Sequence, residues 1–153
     1  MKPPSPVNER CSIARTLVVL GEKWALLVVR DIALGVTRFA DIRSRLEVAP
    51  DVLSDRLSKL VDLGVIERRA YRDEGARQRD EYTLTAAGAA LLPVLGALSQ
   101  WGDVHVASPW GPATRYVDAR DGGDVRIAFV DAHGRAVDRE QVAVVPGPGA
   151  LVT

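Results

Sequence analysis

Two consecutive runs decide the fold: Thr37-Arg-Phe-Ala-Asp-Ile-Arg-Ser-Arg-Leu46 and Pro50-Asp-Val-Leu-Ser-Asp-Arg-Leu-Ser-Lys-Leu-Val-Asp-Leu63. In the first, Phe39, Ile42 and Leu46 recur at helical spacing, and in the second Leu53, Leu57, Leu60 and Val61 do. Thr37 reads as the N-cap of the first helix. Pro50 suits the first turn of the second, where its missing amide needs no partner. Gly64 ends that helix. Ile66–Arg72 and Asp80–Leu84 then read as two strands around the polar loop Asp73–Arg79. Helix, turn, helix and basic hairpin is the order of a winged helix-turn-helix, which points to duplex DNA. The expected fold class is mainly α with a β-wing, plus a small C-terminal β-rich appendage.

Upstream, a helix is expected over Ser12–Leu20 with Ile13, Leu17 and Leu20 on one face. Gly21 is expected to supply a left-handed position after it. A second helix runs from near Lys23 to before Gly35, with Trp24, Leu27, Val28 and Ile32 at helical spacing. Downstream, Thr85 can cap a long last helix, about Ala86 to Val106, which Pro93 should bend or break. Its apolar face, with Ile13 and Leu17 of the first helix, suggests a dimer seam of Ile13, Leu17, Leu91, Leu95, Leu98 and Trp101. An intramolecular core reads equally well from periodicity. Ser108-Pro-Trp-Gly-Pro112 marks a boundary. The chain is thus expected to divide into an arm at 1–10, a main domain at 11–108 and an extension at 109–153. Within the extension, strands are expected at Thr114–Ala119, Val125–Val130 and Val142–Val145, with turns at Asp121–Asp124 and Asp131–Gly134.

Bulk properties exclude other classes. The chain has 153 residues, 47% of them hydrophobic, enough for a real core. No apolar run approaches the roughly 20 residues that span a bilayer, and the start lacks the apolar stretch of a signal peptide. A cytoplasmic protein without a membrane partner is expected, associated with the bacterial nucleoid when bound to DNA. Formal net charge is zero, from 20 basic and 20 acidic residues, which argues against a nonspecific basic coat for DNA. Segment 38–79 nevertheless holds ten basic residues against eight acidic ones, whereas 80–106 holds three acidic and no Lys or Arg.

The candidate DNA contacts are Arg38, Asp51, Ser54, Asp55, Arg56 and Lys59 at or near the second helix, and Arg69, Arg72, Arg77 and Arg79 in the wing. Guanidinium forks match phosphates and favour a narrow minor groove. No Gly-rich phosphate loop, metal-ligand cluster or nucleophile motif is present, so an enzyme is not expected, nor a cofactor or metal. His133 lies in a turn without a cysteine beside it, so the tail is not expected to bind a metal. A winged helix that binds protein instead of DNA is the alternative. The arginines of the wing favour DNA.

Cys11-Ser-Ile-Ala-Arg-Thr-Leu-Val-Val-Leu-Gly-Glu-Lys-Trp24 resembles the opening of the HxlR-type winged-helix regulators. The resemblance continues through Arg30-Asp31, Arg38-Phe39, Leu53–Leu57, Leu63–Arg68, Tyr82–Thr85, Gly88, Leu91–Leu95 and Trp101. It covers roughly Cys11 to Ser108. It implies a dimeric bacterial transcription factor, with the first and last helices building the dimer and the helix from Pro50 entering the major groove. Two departures stand out. Ala49 occupies the cap position where relatives usually have Ser or Thr, and Asp51 stands where they often have a basic residue. Asp51 either stabilises the positive helix start or accepts from a cytosine amino group.

The resemblance also implies a sequence-specific regulator, expected to be a repressor, with two candidate switches. Cys11 is the only cysteine, at a helix start beside Arg10 and Arg15, a setting that favours thiolate. It stands where resembling redox sensors carry an N-terminal cysteine, and packing of the first helix is the alternative role. Trp24, Trp101 and Trp110 are candidates to line a pocket for an aromatic or quinone-like effector, and core packing is again the alternative.

Overall fold

Helix α2 (Lys23–Ala33) buries Ala25, Val28, Val29 and Ile32 along one side, the spacing of a helix sunk into a core. A computed structural model describes residues 9–71 and 79–150. The arm at 1–8, Arg72 and Arg77 lie outside the described residues. Around α2 stand α1 (Ser12–Leu20), α3 (Phe39–Leu46), α4 (Pro50–Asp62) and an antiparallel hairpin of β1 (Ile66–Tyr71) and β2 (Arg79–Leu84). Helix α2 touches α1, α3, α4 and β2, while α4 also packs on β1. Leu53, Leu57 and Leu60 of α4 and Ile66 of β1 are all but sealed from water. Burial of each such side chain stabilises the fold by roughly 1.5–3 kcal/mol. This is the mainly α, winged architecture expected from the sequence.

Two helices end by the same device. After α4, Val65 donates its N–H to the Leu60 carbonyl and Gly64 to Val61, both at 2.9 Å. Gly64 has φ +67°, the left-handed position that spares a side chain a clash. After α2, Gly35 at φ +86° does the same, with Val36 N–H on the Asp31 carbonyl and Gly35 N–H on Ile32. Gly21 differs from expectation. Its φ is −68°, right-handed, and its N–H bonds the Leu17 carbonyl at 2.8 Å. A Cβ there would overlap the Leu17 oxygen, so close approach, not handedness, calls for glycine.

Thr37 is not the cap of α3. That helix begins at Phe39, and its N-cap is Arg38 without a side-chain cap bond. The Thr37 carbonyl instead accepts the Tyr82 N–H at 2.8 Å, and Arg38 bridges Glu81 antiparallel. Pairing with the edge of β2 holds both residues extended and delays the helix by one position. Between α3 and α4, Glu47 adopts φ +49° and makes the tight turn, a left-handed position filled by a residue other than glycine. Ala49 caps α4 with no side-chain bond, and Pro50 opens it, as expected.

Thr85 caps the next helix, its hydroxyl accepting from the Gly88 N–H at 3.1 Å while donating back toward the Gly64 and Val65 carbonyls. The expected single helix is two: α5 (Ala86–Ala89) and α6 (Leu92–His105). The Pro93 ring would collide with the carbonyl four residues back, that of Ala89, and α5 ends there.

The chain forms two compact units, one running to Leu91 and taking in the end from Pro148, the other running from Leu92 to Gly147. In the second unit the extension lies along α6. Gln100 clamps the Ile127 backbone, with Oε1 accepting from the N–H at 2.5 Å and Nε2 donating to the carbonyl at 3.2 Å. A Cβ on Gly96 would sit 2.8 Å from Ile127 Cγ1, so the extension seats where the helix has no side chain. Both expected turns are present, with Gly122 and Gly134 at positive φ. The strands are far shorter than expected: β3 (Phe129–Val130) pairs with β4 (Ala136–Val137), and Val117 bridges Asp124. Val142–Val145 forms no strand. It follows a 3-10 turn at Arg139–Gln141, precedes Pro146 and pairs with no strand among the described residues, and Val144 is fully exposed.

Asp31 is the only buried charged residue among those described. Its Oδ1 accepts from Arg30 Nε at 3.0 Å and Nη2 at 2.8 Å, and its Oδ2 lies 3.4 Å from Arg45 Nε. The carboxylate thereby ties α2 to α3. Asp31→Asn keeps the volume but removes the charge and turns an amide toward two guanidinium groups. It should cost about 2 kcal/mol of stability, read as a lower urea midpoint with an unchanged slope. A midpoint equal to that of the wild type would dismiss the pair as a fold determinant.

Candidate nucleic-acid interface

Helix α4 buries Leu53, Leu57 and Leu60, and the helical repeat turns Asp51, Asp55, Ser58 and Asp62 to the opposite side. Ser54 and Lys59 flank that outward row, and all six are exposed. The helix carries three aspartates against Arg56 and Lys59, a formal net charge of −1. This outward face is acidic at its centre. Asp51 lies in the first turn, where the helix dipole favours a carboxylate.

The two cations of α4 are held by acids. Arg56 pairs with Glu22 and, at 3.3 Å, with Asp55 Oδ2; Lys59 Nζ lies 3.3 Å from Asp55 Oδ2 and 3.8 Å from Glu22 Oε1. The Arg56 side chain is only 16% exposed, and its Nε is buried without a partner among the described atoms. Of the candidate contacts among the described residues it is the least accessible. Glu22 is the N-cap residue of α2, without a side-chain cap bond of its own.

The wing carries the exposed arginines. Arg69 extends from β1 and bonds Glu67 Oε1 at 2.6 Å, and Arg68 lies 3.7 Å from Asp80. Arg79 opens β2 opposite Tyr71 and is exposed. Arg38 stacks its guanidinium 4.5 Å from the centre of the Tyr71 ring, which joins the start of α3 to the wing by a cation–π contact. At the wing's root Tyr82 is buried, and burial pushes its phenol up, reinforced by Asp80. It stays protonated wherever the protein is folded near neutrality.

The structure thus brings Asp51, Ser54, Asp55, Arg56 and Lys59 onto one helix, and Arg69, Arg79 and Arg38 onto or beside the wing. Sequence reading missed three residues that position them: Glu22, Asp31 and Tyr71. Glu22 precedes a lysine at a helix start and reads as ordinary solvated charge. Nothing in the linear order links it to Arg56, 34 positions on. Asp31, within a run of apolar residues, was the one legible signal of a buried ion pair.

Cys11 is exposed at the start of α1, and the Arg15 guanidinium turns to Ser12 Oγ at 3.1 Å. Trp24 is half-buried with Lys23 Nζ 4.3 Å from its ring centre. Trp101 is 60% and Trp110 90% exposed, so neither is packed as core. Of the expected dimer seam, Ile13, Leu17, Leu98 and Trp101 are exposed, Leu91 is half-buried and Leu95 is buried within the single chain.

No helix among the described residues is long and apolar enough to cross a membrane. The HxlR-like helix-turn-helix family matches residues 19–109. The chain is 34% identical over 139 residues to the uncharacterized HTH-type transcriptional regulator MT3179 of Mycobacterium tuberculosis, covering 90% of this chain and 87% of that protein. It is similar to the crystal structure of PA1607, a candidate transcription factor, with a TM-score of 0.72 and 35% identity over 90% of this chain and 95% of that one. The reduced form of the transcriptional regulator YodB from Bacillus subtilis matches with a TM-score of 0.53 and 26% identity, over 62% of this chain and 93% of that one. The extension is therefore shared with some relatives and lies beyond what others match. A helix-turn-helix with an outward-facing second helix, an arginine-bearing wing and these relatives leads to one conclusion: the chain belongs to the HxlR-like helix-turn-helix family of DNA-binding transcriptional regulators, and not to a family of enzymes.

Proposed function

We propose that the chain acts as a homodimeric repressor that reads a specific DNA operator, with α4 in the major groove and the wing along the adjacent backbone. The observation that carries this reading is the exposed row of Asp51, Ser54, Asp55 and Lys59 on α4, beside a wing bearing Arg69 and Arg79. Aspartates on that row can accept from cytosine amino groups, while phosphate contacts fall to the arginines. Residues 11–108 carry reading and pairing in this scheme, and 109–153 form the extension. Selection of bound duplexes from a random pool tests the core of the reading: a regulator of this kind enriches a two-part site with half-sites about one helical turn apart. Recovery of no preferred sequence would count against it. Arg77→Ala with Arg79→Ala should weaken binding to all duplexes and lower the log–log salt slope by about two units. An unchanged slope would remove the wing from the interface.

Pairing is supported by the exposed apolar side chains of Leu98 and Trp101 on the α6 face and, in the other unit, of Ile13 and Leu17 on α1, since monomers seldom expose large apolar patches without use. Sedimentation should give twice the chain mass for the wild type. Leu98→Glu with Trp101→Glu should shift it toward the monomer and weaken operator binding, and a variant that remains paired would exclude this face.

Control by oxidation is supported by the exposed Cys11 and by the likeness to YodB, whose reduced form has been solved. Two Cys11 thiols would lose two protons and two electrons to an oxidant such as diamide and join across the dimer, or each would pair with a small thiol. Diamide should change operator affinity of the wild type and leave Cys11→Ser unaffected. A wild type indifferent to diamide would end the idea.

A further inference from the structure

The two cations of α4 and the carboxylate of Glu22 form a closed set with Asp55. Glu22 comes from the turn before α2 and reaches both Arg56 and Lys59, and Asp55 reaches both as well. Each carboxylate therefore neutralises two cations, and each cation is shared by two carboxylates. The outward face beside this set adds Asp51 and Asp62 and no further cation. Phosphate approaching α4 meets an acidic surface whose only positive groups are engaged.

We propose that Glu22 is a specificity-determining residue for DNA: with Asp55 it withholds Lys59 from phosphate, so that α4 engages only where base contacts repay the broken pairs. This inference rests on the DNA-reading assignment above and deepens it. The physical argument is competition. Nonspecific binding comes almost wholly from Lys and Arg replacing counterions on phosphate. A carboxylate already at Lys59 must be displaced before that exchange occurs, and the displaced carboxylate is then left facing the DNA backbone. On an unrelated duplex nothing offsets this. On the operator, contacts from the exposed row of α4 do. Arg56 plays a different part. Largely buried and braced on Glu22, it is a positioning residue that holds α4 against the start of α2, while Lys59, half exposed, is the cation that DNA can recruit.

The test is Glu22→Gln in the full chain, which keeps the length and hydrogen-bonding capacity of the side chain and removes its charge. Binding to the operator recovered by selection and to an unrelated duplex of equal length is measured across a series of NaCl concentrations. Affinity for the unrelated duplex should rise by roughly tenfold near 0.1 M salt, and its salt slope should steepen by about one unit, the signature of one added phosphate contact. The ratio of operator to unrelated affinity should fall. Lys59→Met placed on Glu22→Gln should return the slope to that of the wild type. A purely structural role for Glu22 would instead weaken both duplexes with no steeper slope, and that result overturns the proposal, as does a variant indistinguishable from the wild type. If Glu22→Gln unfolds, Lys59→Met alone decides by its salt slope: on this proposal the slope on the unrelated duplex stays that of the wild type, because Lys59 makes no phosphate contact there, and a slope shallower by about one unit overturns it. A wild type that binds neither duplex would sink the DNA-reading assignment itself, a failure distinct from these.

Discussion

The burial of α2 is the constraint on which the rest of the first unit depends. Its inner side, Ala25, Val28, Val29 and Ile32, is closed off by α1, α3, α4 and β2 together. An apolar stripe of that width cannot face water, so the surrounding elements have little freedom in where they stand. Asp31 adds direction to that packing. A buried carboxylate must be met by donors, and Arg30 and Arg45 meet it from two helices. The angle of α3, and through the Glu47 turn the start of α4, follows from that demand.

Charge is distributed across the interface in an unequal way. The helix that faces outward is acidic, and its two cations are shared between Glu22 and Asp55. The wing holds Arg68, Arg69 and Arg79 in exposed positions. In the proposed complex, long-range attraction to a phosphate backbone falls to the wing, while α4 offers hydrogen-bonding groups at short range. A chain of zero net charge can bind DNA on such terms because binding depends on local placement, not on the sum. The Arg38–Tyr71 stack joins the start of α3 to the wing.

The extension follows a different logic. Most of its side chains are exposed, and a piece of this size buries too little apolar surface to order itself by collapse. Its order comes from local chemistry. Asp131 accepts from the His133 and Arg135 amides and from the Arg135 guanidinium, which holds its carboxyl below the usual carboxylate range. Asp118 and Arg120 do the same at the other turn. Gln100 then anchors the backbone to α6 at Ile127. Such turns survive as one- and two-residue pairings and do not grow into long strands without a covering layer.

Periodicity and turn chemistry made most of the first unit legible. Helical spacing of leucine and valine marks α2 and α4, Pro50 and Gly64 mark the two ends of α4, and Thr85 marks the cap of α5, because each rests on interactions within a few residues. The family likeness was legible for the same reason, in short motifs that serve those local features. What failed to show was every feature made by residues far apart. Thr37 looked like a cap because the strand beside it, at Tyr82, is 45 positions away. Arg56 looked like an outward contact, and only the fold, by bringing Glu22 against it, turned it inward. Local sequence determines which elements form, since their energies are short in range. Which charges meet, and which are left for a partner, is decided by the packing of those elements, because an ion pair exists only once the fold has brought both members together.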